Sequence, residues 1–239
     1  MKDNEKKFTL PMLEAPRTMR VKFRKVGNLQ YISHLDLQRT FARVLVRAGL
    51  PLWYTKGFNP HIKMVFGLPL PVGCESECEF LDIRIEREMA QEEILARLNA
   101  ELTEELAAIA VYPAERKFAE MAFAVYAYSI KTTDADEATV AAIKAALSDP
   151  ALSYFKHSKA GDKEVLVSDY LRAFDVELAD GVITLNATLS VGEGKTLTPE
   201  ALISVLRARV GILSGDPTKE SYRILRRRVL LADGMTDFT

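Results

Sequence analysis

From Arg20 to Lys25 apolar and basic residues alternate, with Val21 and Phe23 on one side and Arg20, Lys22 and Arg24 on the other. That period of two predicts a strand with one buried face and a basic open face. After Ser33 the period lengthens. Leu37, Phe41, Val44, Leu45 and Ala48 fall on one helical stripe that Gly49 stops, and Ser33 with Asp36 three positions on makes a capping-box-like start. Strand-like stretches follow at 52–55, 63–68 and 79–86, then an acidic helix over 90–107 and a closing strand from Val111. The pattern then restarts: strand 123–132, helix 134–147, strands 169–178 and 182–190, helix 199–210, strand 222–231. Two successive strand-helix-strand-strand-helix-strand runs predict an α+β chain of two tandem ferredoxin-like (βαββαβ) sandwiches. Residues 1–18, with Pro11 and Pro16 and no periodicity, are expected to form a flexible leader. The domains are expected over 19–117 and 118–239.

Charge sharpens this picture. The net charge is only -1, but from Arg17 to Lys63 ten basic residues face the single acid Asp36, and from Cys74 to Glu120 thirteen acids face five bases. The field over the surface is therefore expected to vary strongly. The longest apolar runs, 109–112 and 229–232, fall far short of the roughly 20 residues that cross a bilayer. With no signal peptide in 1–9 and only two cysteines, a cytoplasmic location, no membrane and a reducing compartment are expected.

Arg39, Arg43 and Arg47, spaced by four, put three fork-shaped donors on one helical face without nearby acids, a geometry suited to successive phosphates. Lys22 and Arg24 on the first strand and Lys56 and Lys63 around the next loop extend the basic surface. That loop, GFNPH, places Gly57, Asn59 and Pro60 where turns want them and leaves Phe58 and His61 displayed, Phe58 either as a stacking platform for a base or as a plug for the core. His34 and His61, with Asp36, are candidate proton-transfer or metal-binding groups, although a cap explains Asp36 equally well. A second basic cluster, Lys219, Arg223, Arg226, Arg227 and Arg228 with Tyr222, reads as an RNA-facing sheet surface or as an edge strand protected by charge. GEGKT at 192–196 lacks the four-residue gap of a phosphate-binding loop and is read as a turn.

Three blocks, YISHLDLQR from Tyr31, GFNPH from Gly57 with the following FGLPLPVG, and ESECEFLD from Glu75, stand in that order within 27–82. Together they resemble the radical-SAM-linked protein family, whose biochemical function is unknown. Ile62 departs from the pattern, which often has a second proline there. The resemblance implies a partner, since members are fused to a radical SAM enzyme or encoded beside one. Cys74 and Cys78 have the first spacing of a radical SAM cluster motif, but position 81 is Leu81. Two thiolates cannot hold such a cluster, so the pair is expected to lie in a surface loop, and no cofactor or metal is predicted.

The sequence therefore predicts an accessory protein that works with a separately encoded radical SAM enzyme and binds RNA, or presents a substrate, through a basic N-terminal surface. No autonomous activity is expected of it. The alternatives are an RNA-processing enzyme using His34 and His61 as general acid and base, and a protein-only adaptor.

Overall fold

The computed structural model describes residues 12–156, 161–192 and 196–239. The chain divides into two compact units, the first ending at Phe118 and the second beginning at Ala119.

The first unit runs β1 (Met12–Lys25), a 3-10 turn (Gly27–Tyr31), α1 (His34–Arg47), β2 (Met64–Phe66), β3 (Cys74–Arg87), α2 (Gln91–Asn99) and β4 (Ala108–Pro113). Its strands lie in the order β4-β1-β3-β2 with every neighbour antiparallel, the ferredoxin-like arrangement. The alternation of β1 sends Met19, Val21 and Phe23 to the same core as Leu81, Ile83 and Ile85 of β3. The α1 stripe Leu37, Phe41, Val44 and Leu45 and the α2 residues Ile94 and Leu98 close over them. Phe41 is fully buried, with its ring centroid 4.7 Å from that of Phe23 and 5.7 Å from that of Phe66. As expected, the Ser33 hydroxyl caps α1, accepting from the Asp36 amide at 3.1 Å.

The second unit repeats the plan: β5 (Phe123–Lys131), α3 (Glu137–Ser148), β6 (Ser153–Lys156), β7 (Lys163–Leu166), β8 (Leu171–Ala179), β9 (Val182–Ser190), α4 (Glu200–Val210) and β10 (Ser221–Leu230). Strand order is β10-β5-β9-β8, again antiparallel throughout, and β6 and β7 pair as a separate hairpin. Ile183, Leu185, Ala187 and Leu189 of β9 alternate into the buried side. Tyr128, fully buried on β5, donates its hydroxyl to the Pro199 carbonyl at the start of α4.

Several elements differ from expectation. Strand β1 begins at Met12, so residues 12–18 are not leader; the rest of the leader, 1–11, lies outside the described residues. The stretch 52–55 is not a full strand but joins β3 through a single bridge, Leu52 to Ile85. Helix α2 stops at Asn99 rather than 107, because the Asn99 amide brackets Ala108, donating to its carbonyl at 3.0 Å and accepting from its N–H at 2.9 Å. The β6–β7 hairpin falls where no strand is expected.

Candidate nucleic-acid interface

Between α1 and β2 the chain makes a tight hairpin on the edge of the first sheet. At its base Leu52 is buried in the core and the Trp53 amide donates to the Arg84 carbonyl at 2.9 Å. Above that the two arms are laced by Lys63 N–H to the Trp53 carbonyl (3.3 Å), a Tyr54–Ile62 bridge and Thr55 N–H to the His61 carbonyl (2.9 Å). Leu52 and Ile62 face the core, so alternation sends Trp53 and Lys63 the other way, where the Lys63 ammonium and Arg84 guanidinium each lie 5.8 Å from the centre of the Trp53 ring.

The tip is Lys56 to Pro60. Gly57 has φ of +134°, a conformation other residues rarely adopt, with open space where a Cβ would stand. Phe58 is completely exposed (112 %). His61 braces the tip: its N–H donates to the Thr55 hydroxyl at 3.1 Å, and its ring Nδ1 lies 3.1 Å from that hydroxyl and 3.2 Å from the Asn59 carbonyl. A protonated Nδ1 donates to the carbonyl and a bare one accepts from the hydroxyl, so either tautomer holds the turn.

His34 does not join His61. It opens α1, bonded to Gln38 at 2.9 Å and packed edge-on against Phe66 at 5.2 Å. Asp36 lies in the first turn of α1, its carboxyl held below the usual range by the Ser33 hydroxyl that donates to it and then by Arg39. Among the described residues no group of three His, Cys, Asp or Glu side chains is placed to hold a metal ion.

The arginine stripe does not have the freedom from acids that its sequence suggests. Arg39 pairs with Asp36 at 3.3 Å and Arg47 with Glu101 at 2.8 Å, which leaves Arg43 without a counter-charge among the described residues. The stripe also lies on the helical layer, whereas Lys22 and Arg24 point from the opposite face of the sheet. Arg24 donates to the Glu104 carbonyl at 2.7 Å, and Lys22 is half-buried beside Phe80 and Ala110. Arg20 on that face is 1 % exposed. Its guanidinium grips Asp82 through two bonds (2.7 and 2.9 Å) and the Arg116 carbonyl (2.8 Å), and lies over the Phe118 ring at 4.4 Å. Beside this row sits Tyr112, opposite Arg20 in register, its hydroxyl buried and its pKa pushed up to about 12 by that burial.

Cys74 and Cys78 are not in a surface loop: both are buried in β3, and they form no disulfide. Around them Glu75, Ser76 and Glu79 are buried as well, and so is Lys25 of β1. The Lys25 ammonium donates to the Leu29 carbonyl at 3.2 Å, Glu75 accepts the Gly27 N–H at 2.7 Å, and the Ser76 hydroxyl accepts the Cys78 N–H at 3.1 Å. The first two of these bonds fix the turn that leads into α1. A signal for this exists in the sequence: Lys25 continues the Val21–Phe23 row and Glu79 the Leu81–Ile83 row, each a charge in register with a core face.

In the second unit the basic cluster divides. Arg226 is buried, Arg228 pairs with Asp237 at 2.8 Å, and Lys219, Arg223 and Arg227 are exposed. Of GEGKT, residues 193–195 lie outside the described residues. Among the described residues no helix is long and apolar enough to cross a membrane.

Among solved structures the chain is similar to one from a Cbf5–Nop10–Gar1 complex, at 10 % identity and a TM-score of 0.49, covering 88 % of this chain and 48 % of that one. The protein thus spans about half the length of that relative. An unknown protein from Galdieria sulphuraria matches at 9 % identity and a TM-score of 0.25, over 89 % of this chain and 99 % of that one. No curated protein matches. The model of a family described as uncharacterized protein conserved in bacteria, DUF2344, matches residues 18–199, most of the first unit and the second as far as the start of α4. With more than half of its length so matched, the chain belongs to that family.

Proposed function

We propose that the protein binds single-stranded RNA at the 53–63 hairpin and acts as an accessory to a separately encoded radical SAM enzyme. The observation that carries the RNA part is Phe58, a fully exposed aromatic ring on a hydrogen-bonded turn, with Lys56 in the same turn and Lys63 at the base of the hairpin. An exposed phenyl ring offers a base a stacking surface at low entropic cost when its loop is already braced, and adjacent ammonium groups supply the phosphate attraction. Trp53, with Lys63 and Arg84 beside it, continues that surface towards the sheet. The radical SAM partner rests on the sequence resemblance alone. His34 is engaged with Gln38 and Phe66 rather than with His61, which favours binding over acid–base cleavage.

Fluorescence anisotropy of a labelled short RNA strand across a salt series tests this. Phe58→Ala should weaken binding by about 1–3 kcal/mol with the salt slope unchanged. Lys56→Ala with Lys63→Ala should flatten the logarithmic slope by roughly 0.7 for each phosphate that the protein no longer neutralises. Arg39, Arg43 and Arg47 changed together to Ala should matter less than the hairpin, because two of the three already face carboxylates. RNA affinity indifferent to Phe58, or no binding at low salt, would leave the protein-only adaptor standing.

A further inference from the structure

The second unit carries a groove of about 720 Å³ between α4 and the β6 arm of the hairpin. Val205 and Ala208 of α4 and Tyr154 and Phe155 of β6 give it apolar and aromatic walls, and Arg209 and Asp149 stand at its margin. Phe155 is 60 % exposed. Its volume is within the range that drug-sized ligands occupy, roughly 300–1,000 Å³.

The polar groups of this groove are unequally committed. The Ser153 hydroxyl donates to the Glu164 carboxylate at 2.6 Å, and the Ser204 hydroxyl donates back to the Glu200 carbonyl at 3.1 Å, so neither has its proton to offer. One oxygen of Asp149 accepts the Ala151 N–H at 2.9 Å. Arg209 reaches the other oxygen at a long 3.4 Å, and its side chain is 64 % exposed. A guanidinium has five N–H donors in a fork, so Arg209 retains the capacity to grip an anion in bidentate fashion. The groove thus presents apolar walls, acceptor-only serines, the Tyr154 hydroxyl and an Arg209 fork that is shared at long range with the Asp149 carboxylate. An apolar body with one carboxylate fits the apolar walls and finds donors in the Arg209 N–H groups that Asp149 leaves unused.

We propose that this groove binds an amphiphilic carboxylate, an acyl or aryl chain lying along Val205, Ala208 and Phe155 with its acid group on Arg209. The site is independent of the RNA hairpin, so either proposal can fail without the other.

The test is calorimetric titration of the full chain with decanoate and with decanol as its uncharged counterpart. Decanoate should bind saturably and about fivefold to tenfold more tightly than decanol, the gain expected of a charge-assisted contact with an exposed guanidinium that is shared with Asp149. Arg209→Gln should remove that preference. Ala208→Trp, at a groove-facing position, should block both ligands, with circular dichroism confirming the fold; should that variant not fold, the Arg209→Gln comparison decides alone. Equal affinity for decanoate and decanol in the unaltered protein, or unchanged decanoate binding in a folded Ala208→Trp chain, overturns the proposal.

Discussion

The two units share one strand order, and each takes its extra hairpin at the same place, between its first helix and its second strand. In the first unit the insertion is a short ladder whose base is sewn to β3 and whose tip, with Phe58, is wholly exposed. In the second the strands β6 and β7 make a hairpin of their own, and β6 forms a wall of the groove beside α4. A frame whose core takes only the base of the insertion can extend the rest of it in either direction. What the insertion becomes then depends on its length and on which of its side chains the core claims. Leu52 and Ile62 are claimed, and Phe58 is not.

The sharpest test of that contrast sets two phenylalanines of the first unit against each other. Phe41→Ala should destabilise the protein by about 3–5 kcal/mol in urea unfolding, because it empties a buried site between Phe23 and Phe66. Phe58→Ala should stay within about 0.5 kcal/mol of the unaltered chain. A large loss at Phe58 would mean that the tip is structural after all. Next in size, Ser33→Ala should cost about 1 kcal/mol by removing the cap of α1, read as a lower melting temperature.

The smallest effect concerns acid. Glu220 accepts from the Thr133 and Gly215 amides and the Thr132 hydroxyl, and these bonds pull its carboxyl down to about 2 from an ordinary 4.5. A depressed folded value means that the ionised form stabilises the second unit. The contribution is whole above pH 4.5 and is lost as pH falls from there towards 2. Glu220→Gln should therefore lower the melting temperature at pH 7, with the difference from the unaltered chain narrowing through that window. A constant difference across it would assign the effect to something other than the charge.

How much of this could be read in the chain follows from the range of each interaction. Val21 and Phe23, and the stripe from Leu37 to Leu45, obey local periods, so both ferredoxin-like plans were legible, as were the turn residues Gly57, Asn59 and Pro60. The pairing of Arg47 with Glu101 was not, because those residues are remote in sequence and meet only once α1 and α2 have both docked on the sheet. The β6–β7 pair escaped because four-residue strands show too little alternation to rise above a loop. The burial of Cys74 and Cys78 escaped because a run of glutamates and a serine reads as surface until Lys25 and the turn after it are placed over them.

The brace beneath Phe58 also bears on what happens when the backbone is cut there. Trypsin can reach the bond after Lys56, in the exposed turn beyond the last rung between Thr55 and His61. The nicked ends remain tied by that rung, by the Tyr54–Ile62 bridge and by the seam of Leu52 along β3. Cleavage would convert the first unit into two polypeptides that stay assembled, a natural split point at which a reporter could be divided without dismantling the core.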